Sequence, residues 1–403
     1  MRVVVFAHRL ELGGTQTNAI ELSAALRDQF DHDIVLFATP GPALGLARAR
    51  GLRVVEAPDA TFHPSPARMR ALARVIRAHQ PELLHVWDWP QCFDAYFGAH
   101  LVRGLPMLTT MMGMTLDSFV PRTLPATLGT RALQAQASLV RKGTVALLEP
   151  PVDVTANAPD AVDPGEFVRR HGLDVQRLNV VVVTRLEKWL KLESLLRTMD
   201  AVAGLASAHR LRLVVVGEGS AQGLVEARAR QVNDVLGERV VVLTGPLLDP
   251  RPAYAVADVM LGMGGSALRS LAFGKPLIVL GERGFSEPFT PETAEKFLWQ
   301  GFYGLGDGDD AGARLVAQLR PLLEDAGLRE RLGAFGRGVV VDRYSLDVSA
   351  VRLNALYHDV AGCRPSRPAA AVEGLRMLGY LAAGRAVPAG ARQHLRNLGR
   401  RFA

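Results

Sequence analysis

Short apolar runs alternate with helix-like patterns along most of the chain, and this alternation predicts the fold. The first run, Arg2–Ala7, is rich in valine and carries no polar interruption, which is typical of a parallel strand covered on both faces. Behind it, Ala19, Leu22 and Leu26 recur at the spacing of one helix face. Further strands are predicted at Asp33–Ala38, Leu52–Glu56, Leu83–Trp87 and Met107–Thr110.

A second series of the same kind follows, after a stretch at residues 149–167 that contains four prolines and is read as a linker. Alternating strands and helices predict α/β architecture with right-handed crossovers. We therefore expect two facing Rossmann-like domains, with strand-end loops projecting into a cleft between them. The strands of the second series are predicted at Asn179–Thr184, Leu211–Val216, Val240–Leu243, Ala257–Leu261 and Pro276–Leu280.

The pattern divides the chain into three parts. Residues 1–158 are predicted to form the N-terminal Rossmann-like domain, and residues 159–345 the C-terminal one. Three helical patterns follow the last strand, from about residue 311 to residue 358. Residues 346–403 are predicted to be a helical extension that crosses back, followed by a basic tail.

Composition narrows the class of protein. The chain has 403 residues, of which 48% are hydrophobic, so it can bury large cores. No window reaches the roughly 18 consecutive apolar residues that a membrane span needs, and the start lacks the plan of a signal peptide. We therefore expect a cytoplasmic protein. Cys92 and Cys363 are too few for a disulfide framework or a structural zinc site, and we expect no metal.

The charge predicts an anionic partner. The formal net charge is +7, which favours nucleotides, nucleic acid or an acidic membrane surface. The last forty residues hold eight arginines and one acidic residue, Glu373, and residues 390–403 look like a basic helix. Contact with the inner face of a membrane through this tail is one interpretation, and a solvated or packed tail is the other. Nucleic acid is not expected, because neither a helix-turn-helix pattern nor an aromatic and basic strand platform is present.

Glycines at two predicted strand ends suggest ligand sites built from the backbone. Gly13 and Gly14 precede the first helix, where Thr15 or Thr17 can cap it and free N–H groups can point at an anion. Gly217 follows a strand of the second series in the same way. The alternative for each is a tight strand-to-helix turn without a ligand.

Two basic residues follow the first strand of the second series. Arg185 comes directly after it in TRLEKWLK, and Lys191 ends the same stretch. Two positive charges at a strand end suit a diphosphate, because they stabilise the negative charge that grows on a departing phosphate. The alternative is an ordinary basic face of an exposed helix.

A glycine-rich stretch near residue 264 predicts an anion site at a helix start. A helix is predicted to begin at Ser266, with Gly264, Gly265 and Ser266 offering successive N–H groups to a phosphate. A close packing turn is the alternative. Arg269 then falls in the first turn, where the helix dipole repels it. Three explanations stay open for it: contact with a phosphate, an ion pair with Glu282 or Glu287, or a solvent-facing position.

Together these features resemble the retaining glycosyltransferases of family four (group 1), which have the GT-B fold. The similarity rests on the N-terminal GG loop, on RLEKWLKLESLL, on ALRSLAFGKPLIV and on the HVWDW stretch at residues 85–89. It covers about residues 1–360. The resemblance implies an N-terminal acceptor-binding domain, a C-terminal nucleotide-sugar-binding domain, and catalysis by Arg185 and Lys191 without a protein nucleophile or a metal.

Three positions depart from the family pattern. Leu261 and Arg269 stand where the family has the glutamates of its E-x7-E pair, and Met112 matches a sugar-contacting histidine. A thioether cannot donate a hydrogen bond. Glu282 and Glu287, which follow a strand, are candidates to recognise donor hydroxyl groups in place of the missing pair. Asp88 and Met112 are the candidate acceptor contacts.

The resemblance implies a glycosyltransferase that moves a sugar from a nucleotide-diphosphate donor to a glycan, a lipid-linked acceptor or a small natural product, with retention of configuration. Two alternatives stay open. One is transfer with an unusual donor or acceptor, for example S-glycosylation in antibiotic biosynthesis. The other is a non-catalytic protein that binds a nucleotide sugar.

Overall fold

The structure is a computed structural model, and it describes residues 1–116, 120–174, 176–363 and 366–386. The strands are β1 (Arg2–Phe6), β2 (Asp33–Ala38), β3 (Arg53–Glu56), β4 (Leu83–Trp87), β5 (Met107–Met111), β6 (Ala126–Leu128), β7 (Val145–Leu147), β8 (Leu178–Val183), β9 (Leu211–Val216), β10 (Val241–Gly245), β11 (Val259–Gly262), β12 (Leu277–Leu280) and β13 (Ser286–Pro288). The predicted basic helix at residues 390–403 lies outside the described residues.

The helices of the first half are α1 (Gly14–Phe30), α2 (Leu44–Ala49), α3 (Pro66–His79), α4 (Asp88–Ala95), a π-helical turn (Tyr96–His100), α5 (Leu101–Arg103) and α6 (Arg131–Val140). Those that follow are α7 (Gly165–His171), α8 (Leu192–Ala206), α9 (Gln222–Leu236), α10 (Arg251–Val256), α11 (Gly265–Ala272), α12 (Ala294–Gln300), α13 (Ala311–Glu324), α14 (Ala326–Tyr344), α15 (Leu346–Ala361) and α16 (Arg367–Ala386). No described helix is long and apolar enough to cross a bilayer.

The chain folds as two compact units. The first comprises Met1–Glu149 together with the chain from Ser349 onward, and the second comprises Pro150–Val348. The proline-rich stretch joins the second unit through its backbone, since the N–H of Val152 donates to the carbonyl of Tyr344 at 2.8 Å and the carbonyl of Val152 accepts from Leu346 at 2.9 Å.

The first unit is built on a parallel sheet of seven strands in the order β3-β2-β1-β4-β5-β6-β7. Valine and leucine fill its strands because helices cover both faces, and Val3, Val4 and Leu84 are fully buried. The strand order reverses between β1 and β4. Loops that leave the carboxyl ends of two such strands diverge and leave a crevice in which open α/β sheets bind ligands.

The second unit has six strands in the order β10-β9-β8-β11-β12-β13, and only β13 is antiparallel to its neighbour. Its order reverses between β8 and β11, which places the loops after these two strands beside the corresponding crevice. Both sheets are Rossmann-like, so the predicted α/β fold class is confirmed.

The last two helices pack on the first unit. On α15, the hydroxyl of Tyr357 lies 2.7 Å from Nδ1 of the buried His85 on β4. On α16, the carbonyl of Ala370 accepts a 2.7 Å hydrogen bond from the hydroxyl of Tyr96. His85 therefore serves packing, as its position in a strand predicts, and burial lowers its pKa to about 3.

Candidate functional site

The ammonium of Lys191 is the main feature of the candidate site in the second unit. It precedes the first residue of α8, and Arg185 lies in the same loop after β8. Burial first, and the charge of Arg185 second, lower the pKa of Lys191 to about 8, while the charge of Glu282 acts in the opposite direction. Within the part of the chain that the structure describes, neither the ammonium of Lys191 nor the guanidinium of Arg185 has a hydrogen-bond or ion-pair partner. A half-buried cation without a partner is suited to an anionic ligand.

The loop that carries Arg185 is held by backbone hydrogen bonds. The N–H of Leu186 donates to the carbonyl of Glu218 at 2.8 Å, and the carbonyl of Leu186 accepts from Ala221 at 2.7 Å. Gly217 permits this approach, because a Cβ atom there would lie 1.9 Å from the carbonyl oxygen of Thr184. Gly217 therefore has a packing role between the loops that follow β8 and β9, and its contact with the donor stays a prediction.

The start of α11 lies at the same edge of this sheet, because β11 is hydrogen-bonded to β8. The helix begins at Gly265, one residue before the predicted start, and no side chain caps it. Gly264 has φ 59°, and its N–H donates to the carbonyl of Phe302 at 2.7 Å. The prediction that this N–H is offered to a phosphate is therefore wrong. The first-turn N–H groups of Gly265 and Ser266 point along the helix axis instead.

Arg269 lies in the last turn of α11, not the first, because the helix is only eight residues long. The dipole therefore favours its charge instead of repelling it. The predicted ion pair with Glu282 or Glu287 is also absent from the described residues. Glu282 accepts a hydrogen bond from the Tyr303 hydroxyl, and Glu287 pairs with Lys296. Arg269 is half-buried, and its charge acts electrostatically on the hydroxyl of Tyr254.

Sequence reasoning missed Glu193, which fixes the loop that bears Glu282. Its two carboxylate oxygens accept the N–H groups of Arg283 at 2.8 Å and Gly284 at 3.0 Å. Glu193 stands in the first turn of α8, two residues after Lys191, so these hydrogen bonds hold the loop after β12 against the start of that helix. No sequence signal distinguishes it from any acidic residue in a first helical turn.

In the first unit, α1 begins at Gly14 without a capping side chain and without an acidic residue in its first turn. Gly13 is extended at the cap position, and the predicted capping by Thr15 or Thr17 is wrong. The first-turn N–H groups of α1 therefore have no side-chain acceptor among the described residues. They lie at the carboxyl edge of the sheet, beside the point where the strand order reverses.

Next to it, the acceptor candidates Asp88 and Met112 come together with a third residue, His8. The carboxylate of Asp88 lies 2.8 Å from Nε2 of His8 and accepts the N–H of Met112 at 3.3 Å. These residues follow β1, β4 and β5, which are neighbours in the sheet. Asp88 has φ 58°, a left-handed backbone conformation. Residues other than glycine adopt it at a cost in free energy, and such residues are concentrated at functional sites.

His8 was missed because its partner stands far along the chain. Its position directly after the first strand was the available signal. Its Nδ1 atom is buried and has no hydrogen-bond partner among the described residues. Trp87, by contrast, is only 1% exposed and belongs to the core, so it does not stack on a ligand.

Among residues 1–116, 120–174, 176–363 and 366–386, no cluster of three or more His, Cys, Asp or Glu side chains could hold a metal ion. In the acidic turn before α13, Asp307 pairs with Arg314.

Two family models match the chain, one on each unit. The model described as Glycosyltransferase Family 4 matches residues 12–141, and the model described as Glycosyl transferases group 1 matches residues 177–319. The chain belongs to the family 4-like glycosyltransferases. The resemblance stated from the motifs is therefore confirmed at the level of the family, and this glycosyltransferase carries its two matched segments in the two Rossmann-like units.

Solved structures agree with this fold. A glycosyltransferase from Rickettsia africae has a TM-score of 0.71 at 14% identity, over 90% of this chain and 98% of its own. Anabaena HepE in complex with UDP-glucose has a TM-score of 0.70 at 13% identity, over 89% and 100%. WaaG, a glycosyltransferase involved in lipopolysaccharide biosynthesis, has a TM-score of 0.62 at 13% identity, over 89% and 99%. No curated protein sequence matches the chain.

Proposed function

We propose that this glycosyltransferase moves a sugar from a nucleotide-diphosphate donor to an acceptor, with retention of configuration. The observation that carries the proposal is the half-buried ammonium of Lys191, which has its pKa lowered to about 8 and no partner in the described part of the chain. A protein keeps such a group at a cost in stability, and an anionic ligand that stabilises the buried charge would offset this cost.

The donor diphosphate is proposed to lie between Arg185, Lys191 and the start of α11. Two cations and the N–H groups of Gly265 and Ser266 would neutralise the charge that develops on the leaving diphosphate. UDP is the first nucleotide to test, because the similar HepE structures contain UDP and UDP-glucose. With cations and a helix start in this role, the proposed reaction proceeds without a metal ion.

Recognition of the donor sugar is proposed to differ from the E-x7-E pattern. Leu261 is fully buried in β11, so it cannot contact a sugar. Arg269 is proposed as a further phosphate contact, since the two predicted acidic partners are occupied. Glu282 lies close enough to Lys191 to raise its pKa and is proposed to bind donor hydroxyl groups. Glu287 lies on β13 and pairs with Lys296 of α12, so a donor hydroxyl would have to compete with this ion pair.

The acceptor is proposed to bind the first unit at His8 and Asp88. The Asp88 carboxylate accepts from His8 and from the N–H of Met112, which fixes it in place, and its remaining lone pairs can accept an acceptor hydroxyl. Gly13, Gly14 and Thr15, at the open start of α1, would hold an anionic or polar part of either substrate. With retention, the acceptor proton passes to the departing phosphate oxygen, and no protein nucleophile is required.

A second candidate, a non-catalytic nucleotide-sugar binder, rests on the buried Leu261 and on Arg269 in place of the two glutamates. A transferase with an unusual acceptor, such as a thiol, rests on Met112 in place of a histidine. Turnover separates these two. Action in the cytoplasm or at the inner membrane face stays a prediction.

Thermal unfolding with UDP, GDP, ADP and dTDP tests the proposal. One nucleotide at a hundred times its dissociation constant should add about 2.7 kcal/mol to the free energy of unfolding. Lys191→Ala should abolish the effect, and Lys188→Ala, an exposed lysine in the same loop, should keep it. Stabilisation by none of the four would reject the donor site. Where transfer is observed, the anomeric proton coupling of the product decides retention against inversion.

A further inference from the structure

The outward side of α16 is apolar over most of its length. Its exposed positions from residue 368 to residue 382 carry no charged side chain. Val372 is 66% exposed, Leu375 is 71% exposed and Leu378 is 41% exposed. Isolated exposed leucines are ordinary, but a row of them on one helix face marks an interaction surface. We call these three residues the apolar face of α16.

Two charged residues of α16, Glu373 and Arg376, make hydrogen bonds on the inward side, whereas Arg367 at the start of the helix is exposed. Glu373 is only 7% exposed, and its carboxylate accepts the N–H of Arg122 at 2.9 Å and Nε of Arg376 at 3.0 Å. The guanidinium of Arg376 also donates to the carbonyl of Val120 at 3.0 Å. The one acidic side chain of the helix is therefore turned away from solvent.

The inward side fixes the helix firmly. Met377 is fully buried in the core of the first unit, and the carbonyl of Ala370 accepts from Tyr96. The helix packs on α5, where Val102 is 68% exposed. Because α16 is docked on the first unit by its inward side, its apolar face points to solvent. The exposed Val102 lies on α5, against which α16 packs.

Positive charge is concentrated in the segments of the sequence that contain this helix and the elements on which it packs. Residues 95–148 and 364–403 together contain thirteen basic and two acidic residues. The rest of the chain contains thirty-four basic and thirty-eight acidic residues, so it carries a net negative formal charge. Of the two acidic residues, Glu373 is turned inward, and Asp117 lies outside the described residues. The whole positive excess of the protein therefore belongs to these two segments, which contact each other through α16, α5 and the π-helical turn.

We propose that the apolar face of α16 docks on a membrane surface that contains anionic lipid. Apolar side chains that enter the headgroup boundary, carried by a segment with a net positive charge that attracts anionic headgroups, are the pattern by which amphipathic helices bind a bilayer without crossing it. A second copy of the chain fits less well, because it would bring two strongly basic surfaces together. Nucleic acid does not account for the exposed leucine and valine side chains. The inference is independent of the donor and acceptor sites.

Vesicle flotation with the full chain tests this surface. We expect the protein to float with vesicles of phosphatidylcholine mixed with phosphatidylglycerol, and to stay behind with phosphatidylcholine alone. The variant V372E/L375E should lower the bound fraction by about tenfold, because it removes two apolar contacts and adds two repelled charges. V372S/L375S should fall between the two. The matched control is L224E/V235E, which changes two exposed residues of α9 in the second unit.

The other possible results either overturn the membrane proposal or assign the apolar face of α16 to a different partner. Equal flotation of V372E/L375E and the unaltered chain overturns the proposal, as does flotation of neither. Sedimentation without vesicles that shows a dimer for the unaltered chain and a monomer for V372E/L375E assigns the face to a second copy instead. Binding of arbitrary duplex DNA that the same variant abolishes assigns it to nucleic acid. Thermal unfolding of each variant establishes that it is folded.

Discussion

Nε2 of His8 lies 2.8 Å from a carboxylate oxygen of Asp88, although one residue follows β1 and the other follows β4. The parallel neighbours β1 and β4 bring them together where the strand order of the first sheet reverses. Because the N–H of Met112 also donates to Asp88, the carboxylate is held from two sides before any acceptor arrives.

Asp88→Asn should raise the acceptor KM by about tenfold to a hundredfold, because it removes a charge-assisted hydrogen bond. Asparagine tolerates the left-handed backbone at this position, so the fold should be kept. UDP affinity should not change, since the donor is proposed to bind the other unit. Asp59→Asn is the control, as that exposed carboxylate pairs with Arg9 at the same edge of the sheet. An unchanged acceptor KM would remove Asp88 from the acceptor site.

The affinity for UDP should fall as the pH rises through about 8. In the free protein the pKa of Lys191 is lowered to about 8, so its ammonium is protonated below that pH and neutral above it. A diphosphate binds the protonated form. Lys191→Arg keeps its charge throughout this range and should give an affinity that is flat across pH 8. Calorimetric titration across the range checks both, and the same decline in the arginine variant would assign the titration to another group.

The stability of the protein should also report the burial of Lys191. Its folded pKa lies below its unfolded pKa, so the penalty for burying the charge is present in full below about pH 8. As the pH rises from there towards the unfolded pKa, the folded state loses its proton first and stability increases. Lys191→Met removes the penalty and should raise the free energy of unfolding by about 1–3 kcal/mol at neutral pH.

This gain should shrink in alkaline solution, where both states of the native lysine are losing their protons. Urea unfolding near neutral pH and in alkaline buffer measures it. The exposed Lys188→Met is the control and should change stability little at either pH. A destabilising Lys191→Met would mean that the ammonium has a stabilising partner.

Gly217→Ala should destabilise the second unit strongly, by about 3 kcal/mol or more, because its Cβ atom would lie 1.9 Å from the carbonyl oxygen of Thr184. Gly223→Ala is the matched control. Gly223 lies inside α9 with nothing within 4 Å of the added atom, and alanine there should stabilise by about 0.5–1 kcal/mol. Thermal unfolding compares the two. A mild effect at Gly217 would contradict its packing role.

Arg269→Ala should weaken UDP binding while changing the free energy of unfolding by less than about 0.5 kcal/mol, because the guanidinium has no ion pair in the described residues. Calorimetry and urea unfolding separate the two effects. Loss of stability with unchanged UDP affinity would show that Arg269 serves the fold and not the donor site.

Strands with a long valine and leucine run could be placed from the sequence, and the bounds predicted for β2, β4 and β9 match the structure. The strands β6, β7 and β13 could not, because each has three residues and therefore no periodic pattern. The end of α11 could not be predicted from the sequence either. The apolar motif continues past Ala272, so the last turn that holds Arg269 could not be recognised.

Part of the candidate site could be predicted from the sequence, because some of its residues follow strands with a clear apolar run. Arg185 and Lys191 follow a clear strand, so their position was predictable. The approach of Glu282 to Lys191, and of His8 to Asp88, depends on which strands become neighbours, and spacing along the chain does not encode that order. Glu193 acts through two backbone N–H groups of a distant loop, which leave no sequence signature.

The titration of the Lys191 amine with and without UDP tests the central claim most directly. The chain has only five lysines, so carbon-13 labelling of their side chains gives few signals, and Lys191→Arg assigns the one of interest. We predict a pKa of about 8 in the free protein and a clear rise when UDP is bound, because the diphosphate stabilises the charged form. A Lys191 pKa that is unchanged by saturating UDP would contradict the proposed donor site.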